Sequence, residues 1–104
     1  MSSILDTFNS QTFTGQLHTK FLVPLQGMEP MTLELVEVIE RNSAPKIELF
    51  SVMFRGPHSP RLAQKIHALE HEKLGTFELF LTAVNGDHES ITYEAVFHRF
   101  RKEQ

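Results

Sequence analysis

The stretch FELFLTAVNGDHESITYEAVF, residues 77–97, decides the fold because it predicts two antiparallel strands joined by a turn. Apolar side chains recur at every second position in both halves, as in extended strands with one buried face. They are Phe77, Leu79, Leu81 and Ala83 in the first half and Ile91, Tyr93, Ala95 and Phe97 in the second. Asn85-Gly86 between two such runs is the strongest short signal of a β-hairpin. Phe80 and Val84, on the other face of the first run, predict a strand covered on both sides.

The same alternation predicts three more strands upstream. The first starts at Gln16 and ends near Pro24, with one face formed by Leu17, Thr19, Phe21, Val23 and Leu25. The second, Thr32 to Arg41, contains two alternating stretches that are offset by one residue, which predicts a β-bulge. The third, Ile47 to Arg55, is apolar on both faces and is expected at the centre of the sheet. Residues 26–30 and 42–45 have turn chemistry, and the spacing within Ile4 to Phe13 predicts a short N-terminal helix or an irregular arm.

The segment from Ser59 to Gly75 supports two alternatives. As a helix, it has Ser59 as a cap, Pro60 in the first turn and an apolar face formed by Leu62, Ile66 and Leu69. As a strand, it places His67, Leu69 and His71 on one face. Local propensity favours the helix.

Composition limits the function classes. A chain of 104 residues is expected to form a single domain, 1–104. It has no cysteine, which excludes thiolate nucleophiles, cysteine zinc sites and iron–sulfur clusters. The net charge is −3 with scattered basic residues, so we expect no nucleic-acid partner. With no signal peptide and no long apolar run, we expect a cytoplasmic protein that does not bind a membrane. The absence of a glycine-rich phosphate loop predicts no cofactor.

Several short motifs extend over nearly the whole chain. They are Phe13, Leu35 to Val38, Phe50 to Pro57, Leu69 to His71, Leu74-Gly75, Phe77 to Val84 and Tyr93 to Phe97. In this order they resemble a family of small uncharacterised bacterial proteins, which are often encoded beside phage-tail-collar-like, microcystin-dependent fibre proteins. The resemblance implies an extended segment from Ile66 to His71, although residues 64–67 depart from the family pattern. It implies no activity.

The sequence HALEH, His67 to His71, matches the H-x-x-E-H pattern of inverted zinc peptidases. On a helix, His67 and His71 would face one metal ion, and Glu70 could activate a bound water. Such an enzyme also needs a third ligand and a large cleft, for which about 100 residues leave little room. On a strand, the two histidines would lie about 13 Å apart. We therefore expect no metal site here and interpret the histidines as exposed.

Arg55 ends the third strand in the sequence FRGP. We expect it to lie on the face of Leu49 and Met53 and to reach a carboxylate of a neighbouring strand as a structural clamp. The candidate carboxylates are Glu94, Glu78 and Glu70, and Arg99 is a further polar residue expected near them.

These observations predict a mainly β domain, a small barrel or strongly curled antiparallel sheet of about six strands with a short N-terminal helix. For function, we expect a non-enzymatic interaction or assembly protein, accessory to a tail-fibre-like or surface assembly. It would self-associate or bind a protein partner by an edge strand, either Leu17 to Val23 or Thr32 to Glu40. The alternatives are a small apolar-ligand-binding barrel and, third, a zinc hydrolase on HALEH.

Overall fold

Six antiparallel strands form a closed barrel in the computed structural model of the protein, which describes residues 8–41 and 45–100, with the backbone alone at 99 and 100. The elements are α1 (Ser10–Thr14), β1 (Lys20–Val23), β2 (Met31–Glu40), β3 (Ile47–Pro57), β4 (Lys65–His71), β5 (Gly75–Gly86) and β6 (Ser90–Phe100). Around the barrel the order is β1-β2-β3-β6-β5-β4. The predicted fold class is therefore confirmed, while part of the predicted helix and of the turn at 42–45 lies outside the described residues.

The predicted hairpin is formed by β5 and β6. Its tip is Asp87 to Glu89 rather than Asn85-Gly86, since Gly86 is still paired with Ile91 in the ladder. The Asp87 carboxylate closes the tip by accepting hydrogen bonds from the backbone N–H groups of Glu89, at 2.8 Å, and Ser90, at 2.9 Å. A register shift between Ala83 and Asn85 leaves Val84 as an additional residue in β5.

The predicted bulge in β2 is also present. The register of β2 against β3 shifts between Leu35 and Glu37, so Val36 is the additional residue. The shift lets both halves of β2 face the interior: Leu33 and Leu35 are fully buried, and Val38 packs against the same core. A strand without the extra residue would turn one of these halves to solvent.

The segment from Ser59 to Gly75, which the sequence allowed as helix or strand, contains a strand from Lys65 to His71. The helix favoured by local propensity is therefore wrong, and the extended alternative is confirmed. All seven residues of β4 pair with β5. His67, Leu69 and His71 face the interior and are buried. This pairing and burial outweigh a helix preference that amounts to only tenths of a kcal/mol per residue.

The predicted edge strands are not edges. The barrel is closed, β1 pairs with both β2 and β4, and β2 pairs with both β1 and β3. The closure is uneven, however. Between β1 and β4 a single pair, Leu22 and Glu70, is in register, whereas eleven pairs join β3 to β6.

Phenylalanine rings fill one end of the barrel. Phe13 of α1 enters this end and contacts Phe97 with ring centroids 5.3 Å apart, and Phe97 stacks on Phe50 at 4.6 Å. Asn9 and Thr12 cap α1 through reciprocal hydrogen bonds. β3 pairs with β2 on one side and β6 on the other, but every strand of a closed barrel has two neighbours, so the predicted central position does not apply. Among the described residues, no helix is long and apolar enough to cross a bilayer.

Candidate functional site

Arg55 is exposed near the end of β3, and its partner differs from the prediction. Its Nε donates a hydrogen bond to Ser90 Oγ at 3.3 Å. No ion pair joins it to Glu70, Glu78 or Glu94 in the part of the chain that the structure describes. The register explains the difference, because the β6 residue opposite Arg55 is Thr92, whereas Glu94 is opposite Met53.

The other clamp candidates are dispersed over the outer surface. Glu70 pairs with Thr76 of β5 and Glu94 with Thr82. The backbone of Arg99 pairs with Glu48, and its side chain lies outside the described part of the chain. The structure thus does not bring the predicted clamp together. Arg55 instead lies beside the hairpin tip through its hydrogen bond to Ser90. The backbone hydrogen bonds of Glu89 and Ser90 lower the pKa of Asp87 at this tip, and the Arg55 charge acts in the same direction.

The HALEH residues point in two directions. His67 and His71 face the interior, with 8% and 6% of their surface exposed, while Glu70 is exposed on the outer face. Within the described ranges, no three histidine, aspartate or glutamate side chains converge on one point. The expectation that His67 and His71 are exposed is wrong. Both lie on the face of β4 that points into the barrel, together with Leu69.

His71 is held by a complete set of hydrogen bonds. Its Nδ1 accepts from the backbone N–H groups of Lys73, at 3.0 Å, and Leu74, at 3.1 Å. Its Nε2 therefore carries the proton and donates to Thr19 Oγ1 at 2.8 Å, and that hydroxyl donates to the Gln16 carbonyl at 2.7 Å. These bonds assign the neutral tautomer with hydrogen on Nε2.

The ring of His71 also packs against Phe21, with centroids 4.4 Å apart. Burial lowers its pKa from the ordinary value of 6.5; the Glu72 charge raises it, and the Lys73 charge lowers it again. His71 thus connects the segment before β1 with the turn after β4, across the joint where the barrel has a single ladder pair.

Three large apolar side chains are exposed on the outer face of β4, β5 and β6. They are Ile66, Phe80 and Val96, exposed by 60%, 50% and 58%. Ile66 is directly opposite Phe80. Val96 lies on the neighbouring strand β6, two residues beyond Glu94, which forms the last pair of the β5–β6 ladder with Thr82. We call these three residues the apolar row. The prediction that β5 is covered on both faces is wrong, since Phe80 and also Val84, at 45%, are exposed.

A family model described as a domain of unknown function (DUF6916) matches residues 8–97. The chain belongs to this family. The match includes the apolar row and the His71 network of the DUF6916 domain. No curated protein and no solved structure matches the chain significantly.

Neither the apolar row nor the His71 network of this DUF6916 domain was predicted from the sequence. A signal for the row was present: Phe80 and Val96 lie between polar residues on their own faces, next to Glu78, Glu94 and His98. A covered face would not alternate apolar and charged residues in this way. For His71 there was no such signal, because its partner Thr19 lies 52 residues away in sequence.

Proposed function

We propose that this protein is a non-enzymatic assembly module that self-associates through the apolar row. The observation that supports the proposal is the exposure of half or more of Ile66, Phe80 and Val96 on three adjacent strands. Exposed apolar residues are common singly, but contiguous ones rimmed by polar residues mark interaction sites. The rim here includes Glu78, Glu94 and His98, two residues from Phe80 or Val96 along their strands.

The row can be covered by a second copy of the same row. A two-fold axis along it would set Val96 against Val96, so that Glu94 of one copy lies beside His98 of the partner subunit. A two-fold axis at right angles to the row would bring Glu78 of both copies together, and the repulsion between the two carboxylates disfavours that arrangement. Repulsion between the two Glu78 carboxylates therefore favours the first arrangement, in which a second copy covers the row.

The expected affinity is modest. Full burial of such a side chain gains about 1.5–3 kcal/mol, and close to half of that remains available at these exposures. Three residues from each copy give a gross gain of roughly 5–9 kcal/mol, against an association cost of about 4 kcal/mol or more. The net gain is therefore at most about 5 kcal/mol, which corresponds to a Kd of about 0.2 mM or higher, so we expect a weak dimer best observed at protein concentrations on the order of 1 mM.

The test is light scattering coupled to size exclusion over a range of concentrations, with metal analysis of the same peak. We expect the wild type to dimerise and Phe80→Glu to remain monomeric, because a carboxylate would replace the central side chain of the contact. Met28→Glu is the matched control: Met28 is an apolar residue, 59% exposed, in the turn between β1 and β2. A wild type that is monomeric throughout, or equal effects of both variants, would overturn the proposal.

The family resemblance supports a setting for this assembly, namely a tail-fibre-like or surface structure. The corresponding experiment is co-expression with a phage-tail-collar-like, microcystin-dependent fibre protein, the kind of protein that the resemblance associates with this family. A complex that stays together in size exclusion would support this setting, and separate elution of the two proteins would remove it without affecting the self-association.

A further inference from the structure

The joint between β1 and β4 is the weakest point of barrel closure. β1 has only four residues, and Pro24, which follows it, has no N–H to continue a ladder. One residue pair joins β1 to β4, compared with four between β1 and β2 and seven between β4 and β5. We call this joint the seam. Opening the seam breaks fewer backbone hydrogen bonds than separating either neighbouring pair of strands.

The His71 side chain bridges the seam from one side to the other. Lys73 and Leu74, whose backbone N–H groups bind its Nδ1, belong to the β4–β5 turn. Thr19, which accepts the hydrogen of Nε2, belongs to the segment that enters β1. Both ring nitrogens are thus in use. The backbone N–H groups at Nδ1 can only donate and the Gln16 carbonyl at the other end can only accept, so the Thr19 hydroxyl between them accepts from Nε2 and donates to Gln16.

This arrangement does not tolerate a second proton on the ring. A hydrogen on Nδ1 would point at two backbone N–H groups, so that three donors would face one another without an acceptor. Such groups would be left unsatisfied in a buried site, which is costly. His67, on the same buried face of the same strand, differs in this respect, because its Nε2 donates to the Ala63 carbonyl, a bond that the protonated ring can also make.

We propose that His71 is a proton-sensitive latch on the seam, closed when the imidazole is neutral and released when it is protonated. On release, the segment Gln16 to Val23 separates from β4 and the β4–β5 turn, while β4 stays paired with β5. The rest of the barrel, including the eleven-pair ladder of β3 and β6, remains intact.

The charged groups around the ring come from each element at the seam. β1 contributes Lys20, β4 contributes Glu70, and the turn contributes Glu72 and Lys73. The segment before β1 contributes His18, whose Nδ1 lies 3.1 Å from Glu34 Oε2. Glu34 belongs to β2, so that contact does not cross the seam.

The sign of the pH effect follows from the lowered pKa of His71. Because the folded pKa is below the ordinary value of 6.5, the latch is fully closed above pH 6.5 and loosens as pH falls toward the folded pKa. A single linked proton changes the opening equilibrium by up to tenfold per pH unit in this window.

The experiment is amide hydrogen exchange of the full chain, followed by NMR from pH 7.5 to pH 4.5. We expect the protection factors of the Lys73 and Leu74 amides to fall by up to tenfold per pH unit below pH 6.5, while amides of the β3–β6 ladder keep theirs. Unchanged protection at Lys73 and Leu74 overturns the latch. Loss of protection over the whole barrel in the same step overturns it as well.

Two variants separate the latch from other titrating groups. In His71→Asn, the side-chain oxygen can accept the hydrogen bonds of Lys73 and Leu74 without titrating, so the pH step should disappear. In His67→Asn, the step should persist, because Nδ1 of His71 remains. A step that survives in His71→Asn would assign it to another group. The wild-type measurement decides the proposal even where a variant does not fold.

Discussion

Gly56, the glycine of the FRGP motif, has no room for a side chain. It is buried in β3, and a Cβ atom at this position would lie 2.5 Å from Leu33 Cδ2 and 3.7 Å from Tyr93 Cε2. Carbon atoms normally stay about 3.5–4.0 Å apart. Leu33 is fully buried, so it cannot give way without displacing other core residues. The substitution Gly56→Ala therefore overpacks the core.

The magnitude follows from two opposing terms. Overpacking by one methyl group costs about 1–3 kcal/mol. Gly56 has no positive φ, so alanine can adopt its backbone and regains about 0.4–1 kcal/mol by restricting the unfolded chain. We expect a net loss of about 1–2 kcal/mol in the free energy of unfolding, which lowers Tm by roughly 4–16 °C.

Urea unfolding followed by circular dichroism measures this loss. Gly15→Ala is the control, because its Cβ would meet Gln11 O at an ordinary 3.5 Å and its φ is −68°. We expect that variant to be as stable as the wild type or slightly more stable. In the double variant Gly56→Ala/Leu33→Val, the smaller side chain relieves the clash, so the losses should be less than additive by about 0.5 kcal/mol or more. Full additivity, or a Gly56→Ala protein of wild-type stability, would refute the steric argument.

Two further predictions concern single hydrogen bonds. Tyr93→Phe removes the buried hydroxyl that accepts a hydrogen bond from Leu62 N at 2.9 Å. We expect the free energy of unfolding, measured with urea, to fall by about 1–3 kcal/mol. An unchanged stability would show that water replaces the hydroxyl. Asp87→Asn removes a carboxylate whose pKa the backbone N–H groups of Glu89 and Ser90 lower. The carboxylate stabilises the fold above its ordinary pKa of 3.8, and this contribution disappears as pH falls below it. The Tm difference between wild type and Asp87→Asn should thus shrink from pH 6 to pH 2.5, and a constant difference would contradict the assignment.

Features fixed by neighbouring residues were predictable from the sequence. The β5–β6 hairpin follows from two alternating runs around Asn85-Gly86, and the β2 bulge follows from the change of phase at Val36. Each depends on fewer than about fifteen consecutive residues, for which hydrophobic periodicity is informative.

Features that depend on barrel closure were not predictable. The register of β3 against β6 determines which residue lies opposite Arg55. That residue is Thr92, whereas Glu94 lies two residues further along β6, opposite Met53. The burial of His71 requires β1 to lie beside β4, which one residue pair defines. Alternation alone can place a residue on a face of its strand, but it does not say which strands meet or at what register.

β4 carries both proposals, and it is also the strand with the least support from its own sequence. Ile66 on its outer face belongs to the apolar row, and His71 on its inner face forms the latch. Residues 65–71 prefer a helix when considered alone, so β4 exists as a strand because β5 pairs with all seven of its residues. β4 is held in the strand conformation by its neighbours and against its own propensity, and its side toward β1 is almost unpaired. Local opening therefore costs least free energy at this side of β4. Conflict between local and global preference is also expected at functional sites rather than in the supporting core. The same physical feature thus explains why sequence propensity was wrong for β4 and why a single imidazole can control the joint beside it.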